Sequence, residues 1–126
     1  IELVRYQQKN ENDTDSTVTL NQERLDDFME LLDEHISKIK QPAVYAKMLN
    51  LTPYQLNTIT KTALNRTSSQ IINEQIILES KRYLLSTSNQ VKEIAYHLGY
   101  EDTSYFIRFF KKHTGLSPEA FRSNFS

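Results

Sequence analysis

The sequence predicts an all-α fold of about seven helices, in which two helix-turn-helix subdomains are joined by one long connector helix. Three observations carry that prediction. Helix breakers are scarce, with 2 Gly and 3 Pro in 126 residues, and few runs alternate as a half-buried strand would. Apolar residues recur at helical spacing wherever they cluster. A block of the first half also returns about 50 residues later, at a period too long for a two-copy solenoid.

The elements follow in order. Ile1–Gln8 reads as the end of a preceding helix, and Lys9–Thr17 (KNENDTDST) as a polar linker or mobile loop. Leu25, Phe28, Met29, Leu32, Ile36 and Ile39 then form one apolar stripe. Thr19 and Gln22 stand as a candidate starting cap, and Pro42 is expected to end the helix near Lys40. Ala43–Leu49 is a short helix. Thr52-Pro53-Tyr54-Gln55 opens the next with a cap oxygen, a proline at the first helical position and a glutamine able to reach back. That helix runs to about Leu64. Thr67 with Gln70 starts a connector through Ser86, apolar on more than one stripe and therefore packed on both sides. The pattern restarts at Val91–Leu98, continues at Tyr105–His113, and ends in a helix opened by Ser117-Pro118 with Phe121.

The repeat is the strongest signal. Ala46, Leu49 and Leu51 align with Ala95, Leu98 and Tyr100. With one extra turn residue in the second copy, Leu56 meets Phe106, Ile59 meets Phe109, Lys61 meets Lys111, Thr67 meets Ser117 and Ile71 meets Phe121. Gly99 and Gly115 fall at helix ends that want a left-handed residue, and their partners are Asn50 and Asn65, the side chain that best tolerates that conformation. Each copy thus reads as helix, tight turn, capped helix, with an alanine at the crossing.

Composition narrows the function. With 0 Cys there is no disulfide, thiolate metal site or cysteine nucleophile. Gly-rich phosphate loops are excluded too. No apolar run approaches the ~20 residues that span a bilayer, and no signal peptide leads the chain, so a cytoplasmic protein without a membrane partner is expected. The chain begins at Ile1, as a fragment of something longer would. Its net charge of −1 hides an asymmetry: residues 1–41 hold 5 Lys+Arg against 10 Asp+Glu, residues 42–126 hold 10 against 6. A basic second part points to a polyanion partner. His35, His97 and His113 have no ligand spacing, so neither metal nor cofactor is expected.

The segment VKEIAYHLGYEDTSYFIRFFKKHTGLSPEAFR, residues 91–122, closely resembles the C-terminal signature of the AraC/XylS family of bacterial transcription regulators. The match lies in Ile94-Ala95, Leu98-Gly99-Tyr100, Ser104-Tyr105-Phe106, Phe109-Phe110-Lys111-Lys112, Thr114-Gly115 and Ser117-Pro118-Glu119 with Phe121-Arg122. The first copy keeps Ala46, Leu49, Thr52-Pro53, Leu56 and Lys61. The resemblance covers about residues 22–124. It implies a DNA-binding domain over 18–126, with homeodomain-like units at about 42–65 and 90–114 and the connector at about 68–86. It also implies recognition helices that enter adjacent major-groove segments of double-stranded DNA. A sensor region would precede the module, with residues 1–17 as its tail, and RNA polymerase would be a further partner. Some relatives carry cysteine-dependent repair chemistry, which a chain without cysteine cannot perform, so no enzyme is expected. Thr58, Thr60 and Asn65 depart from the family's frequent Arg, Phe and Gly, leaving Arg108 as the retained guanine reader.

Candidate contacts follow from residue chemistry. On the first recognition helix Tyr54, Gln55, Asn57, Thr58 and Lys61 avoid a buried face expected at Leu56, Ile59 and Ala63. On the second, Thr103, Ser104, Ile107, Arg108, Lys111 and Lys112 surround Phe106, Phe109 and Phe110. Gln and Asn suit adenine, Thr a thymine methyl and Arg guanine, while the lysines suit phosphate. Tyr96, Tyr100 and Tyr105 are read as core with the phenylalanines. The acids Asp26, Asp27, Glu30, Asp33 and Glu34 form a solvated face or a docking surface. The competing reading is a protein-interaction module that has lost DNA, motivated by the low net charge and Thr58.

Overall fold

The computed structural model of the chain describes residues 12–125. They form α1 (Asn12–His35), α2 (Pro42–Met48), α3 (Pro53–Leu64), α4 (Ser68–Ser86), α5 (Val91–His97), α6 (Thr103–Thr114) and α7 (Pro118–Phe125), with no strand among them. The expectation for Ile1–Gln8 lies outside the described residues.

Helix α1 departs from expectation at both ends. It begins at Asn12, inside the polar stretch read as a linker, and Thr19 is a helix-interior residue rather than a cap. Once the stripe from Leu25 onward is anchored, each further turn needs only local hydrogen bonds, and no Gly or Pro interrupts residues 12–24. At the other end the helix stops at His35, and a tight turn follows in which Lys38 and Ile39 both donate to the His35 carbonyl at 2.9 and 2.8 Å. Leu25, Phe28, Leu32 and Ile36 are buried, Ile39 is half-buried and Met29 lies exposed.

The repeat holds at the level of single hydrogen bonds. In the first copy Leu51 N–H donates to Ala46 and Asn50 N–H to Lys47; in the second Tyr100 donates to Ala95 and Gly99 to Tyr96, all at 2.8–3.0 Å. Both pairs are the two-bond signature of a left-handed helix stop. Asn65 and Gly115 each donate to the carbonyl four residues back, Lys61 and Lys111. Asn50, Asn65, Gly99 and Gly115, at φ 59, 57, 88 and 83°, are the positive-φ residues of the described chain. The caps repeat as well. Thr52 and Thr67 sit in reciprocal boxes with Gln55 and Gln70, Asp102 accepts from Ser104 and Tyr105 N–H, and Ser117 accepts from Ala120 N–H.

Connector α4 packs against all six other helices. Its first half buries Ile71, Ile72 and Ile76 in a core with α1–α3; its second half buries Ile77 and Leu84 in a core with α5–α7. Tyr100 and Phe109 pack against both cores, so the two units are continuous. Phe106 and Phe110 are fully buried, each contributing ~1.5–3 kcal/mol of transfer free energy. Phe109 is only half-buried.

Candidate nucleic-acid interface

Helices α3 and α6 are second helices of their units, and each turns one row of side chains inward. On α3 that row is Leu56, Ile59 and Thr60, with Thr60 fully buried and Ala63 exposed. Ala63 was expected in the buried row; the register instead places Thr60 there, as Phe110 stands on α6. Its hydroxyl donates to the Asn57 carbonyl at 3.2 Å, so nothing polar is orphaned.

The outward rows differ from expectation in two members. Gln55 Oε1 accepts from Thr52 N–H at 2.9 Å, closing the cap. Asn57 is half-buried, and its Oδ1 accepts from both Ser68 N–H at 3.0 Å and Ser68 Oγ at 2.7 Å. A two-point adenine contact uses the amide oxygen of Asn or Gln as acceptor, and in both side chains that oxygen is committed to protein. The sequence signal was present for Gln55, which satisfies the capping pattern. For Asn57 it was absent, because Ser68 is eleven residues away.

The other candidates, Thr103 and Ile107 aside, are exposed. Tyr54 is 80% exposed, so it is not packing filler. Thr58 is exposed, with its hydroxyl donating to the Tyr54 carbonyl at 3.0 Å. Lys61, Ser104, Arg108, Lys111 and Lys112 are exposed, while Thr103 and Ile107 are half-buried, Ile107 against the second core. Lys61, Arg108, Lys111 and Lys112 have no hydrogen-bond or ion-pair partner among the described residues. Other cations are engaged within the fold: Arg66 pairs with Glu74, Arg82 with Glu79, Lys81 lies over the Phe121 ring, and Arg122 donates to the Leu84 and Thr87 carbonyls at the end of α4. Unpaired cations opposite a buried aromatic row suit a polyanion.

Two tyrosines read as core are at the surface: Tyr96 is 78% exposed and Tyr105, in the first turn of α6, 53%. Both follow directly from their register, one position off the buried Ala95 and Phe106. Asp102 and the exposed Glu101 put negative charge at the start of α6, whereas α3 starts at neutral Thr52. The histidines are dispersed: His97 Nε2 is 2.5 Å from the Tyr83 hydroxyl, and His113 stacks near Phe109. No group of His, Asp or Glu among the described residues is placed to hold a metal, and no described helix is long and apolar enough to cross a membrane.

Comparison with known proteins gives a consistent result. Residues 45–124 match the helix-turn-helix domain family. The chain is similar to the raffinose operon transcriptional regulatory protein RafR of Pediococcus pentosaceus, 32% identical over 76 residues, which are 60% of this chain and 27% of that protein. It is similar in structure to the C-terminal domain of AraT, a response regulator from Geobacillus stearothermophilus, with a TM-score of 0.73 and 26% identity over 80% of this chain and 84% of that one. The DNA-binding domain of AdpA, solved in complex with a target DNA, shares the fold at a TM-score of 0.72 and 19% identity, over 80% and 91% of the two chains. The chain spans under half the length of the curated relatives it matches.

Proposed function

The chain belongs to the AraC/XylS family of helix-turn-helix transcription regulators, and we propose that it is the sequence-specific DNA-binding end of such a regulator, reading two adjacent major-groove segments with α3 and α6. The observation that carries this reading is the pair of equivalent helices, each capped, each burying one row and presenting an opposite row with at least one unpaired cation. Arg108 is assigned guanine O6/N7, and Tyr54, Thr58, Ser104, Thr103 and Ile107 the neighbouring base edges. Lys61, Lys111 and Lys112 are assigned phosphates, which give affinity without sequence information. Gln55 and Asn57 are removed from the reading set and assigned to holding α3 in place. A sensor region ahead of residue 18, contact with RNA polymerase and a cytoplasmic setting complete the proposal; the acids of α1 are the surface offered to such protein partners. The role is binding, not catalysis.

The test is enrichment of duplexes from a random-sequence library, followed by affinity against salt. Arg108→Ala is expected to weaken binding to the enriched duplex by about 1–3 kcal/mol and relax one base pair. Lys111→Ala is expected to weaken all duplexes alike and flatten the log–log salt slope by about one unit. A uniform loss in Arg108→Ala would remove its reading role. Absence of binding even at low salt would leave the protein-interaction module as the better account.

A further inference from the structure

Beside the connector, the α1–α2 turn of the first unit meets the helix stop of the second, and we propose that this seam, Ser37 and Lys40 against Gly99 and Tyr100, is a positioning device that fixes the half-site spacing α3 and α6 accept. The proposal rests on the two-helix DNA reading above.

The first unit contributes the turn between α1 and α2. Tyr45, fully buried and edge-on to Phe28 at 5.7 Å, donates its hydroxyl to the Ile39 carbonyl at 2.6 Å and so ties that turn to the first core. Lys40 Nζ donates to the Ser37 carbonyl at 3.1 Å and stands 4.9 Å from the centre of the Tyr100 ring. The Ser37 carbonyl oxygen lies 2.0 Å from where a Cβ on Gly99 would be, so backbone meets backbone at the turn of the second unit. Tyr100 carries the contact onward: its ring lies 5.8, 5.4 and 6.2 Å from those of Tyr105, Phe106 and Phe109 on α6. An aromatic chain thus runs from the first core, through a cation held on a ring, to the second recognition helix. Burial, which lowers the Lys40 pKa and pushes that of Tyr100 up to about 12, marks the seam as partly dry.

The repeat shows that the seam is an addition. Where the first unit has Asn50-Leu51, the second has Gly99-Tyr100, in the same backbone conformation. Asn satisfies the left-handed angle at position 50; at position 99 the Ser37 carbonyl leaves no room for any side chain. Tyr in place of Leu supplies the ring that reaches Lys40. Both departures from the repeat therefore serve the contact between units. On a duplex, one added base pair displaces a half-site by about 3.4 Å and turns it by roughly 35°, so a reader with a fixed angle between its helices rejects wrong spacings.

The experiment takes the two-part duplex enriched by the wild type and rebuilds it with one base pair added or removed between its halves, plus a probe holding a single half. The wild type is expected to prefer its own spacing by about tenfold or more. Lys40→Ala is expected to reduce that preference by roughly two- to fivefold, the factor of a half-exposed cation–π contact, with affinity for the single-half probe unchanged. Lys40→Arg restores the preference, and Gly99→Ala lowers it further. An unchanged preference in Lys40→Ala, or an equal loss on every probe including the single half, overturns the proposal. A wild type that enriches no duplex overturns the DNA reading beneath it, which is a separate failure.

Discussion

Gly99 and Gly115 occupy equivalent helix stops at nearly the same φ, 88 and 83°, yet their surroundings differ. A Cβ at Gly115 meets nothing within 4 Å, while one at Gly99 would overlap the Ser37 carbonyl. Replacing each by Asn, the residue the first copy uses at both places, separates backbone conformation from packing. At Gly115 only the left-handed angle is at stake, and Asn tolerates it, so the cost is expected to stay at or below about 1 kcal/mol. At Gly99 the same cost is joined by overpacking against backbone, which adds ~1–3 kcal/mol. For a domain of this size 1 kcal/mol corresponds to about 3–6 °C in Tm. Thermal unfolding followed by far-ultraviolet circular dichroism should therefore show Gly115→Asn a few degrees below the wild type and Gly99→Asn further down by about 3–18 °C. Equal losses at the two sites, or a larger one at Gly115, would refute the argument that close approach selects glycine at position 99.

Three more outcomes follow from the hydrogen bonds and titrating groups. Asn57→Ala removes the one oxygen that accepts from both Ser68 N–H and Ser68 Oγ and should cost about 1–3 kcal/mol of stability, with base preference unchanged; a shift in base preference would return Asn57 to the reading surface. Arg122→Met, which deletes the donors to the Leu84 and Thr87 carbonyls, should cost a similar ~1–3 kcal/mol, measured by urea unfolding. Burial pushes Tyr45 and Tyr100 up to about 12; because their folded values lie above the unfolded one near 10, their contribution is complete below pH 10 and lost between 10 and 12. Urea midpoints should fall across that window, and Tyr45→Phe should flatten the fall.

Much of this architecture is written in neighbouring residues. The boxes at Thr52 and Thr67, and left-handed Asn50, Asn65, Gly99 and Gly115, each depend on side chains within five positions, and each was predictable on that basis. The start of α1 was not, because a polar stretch that would not nucleate a helix extends one that is already anchored. Gln55 was ambiguous by chemistry: the same amide serves a base edge or a backbone N–H, and only geometry decides. The seam was hidden for a different reason. It joins residues some sixty positions apart, and its traces in the sequence are the two departures from the repeat, Gly99 where the first copy has Asn50 and Tyr100 where it has Leu51.

The two reading helices are duplicates in backbone but not in charge. The outward row of α3 carries a single cation, Lys61, whereas α6 carries Arg108, Lys111 and Lys112. At α6 the acidic cap Asp102, beside Glu101, opposes a phosphate near the helix N-terminus, where the dipole would otherwise attract one; its cations lie in the middle and last turn instead. At α3 the cap is the uncharged Thr52, so that N-terminus is left open to a phosphate. On the proposed reading, the second unit then supplies most of the counterion release and the first supplies discrimination through the uncharged Tyr54 and Thr58. That division explains how a chain of net charge −1 can hold a polyanion: half of the acids that cancel the total lie on α1, while three of the four cations assigned to DNA stand together on α6.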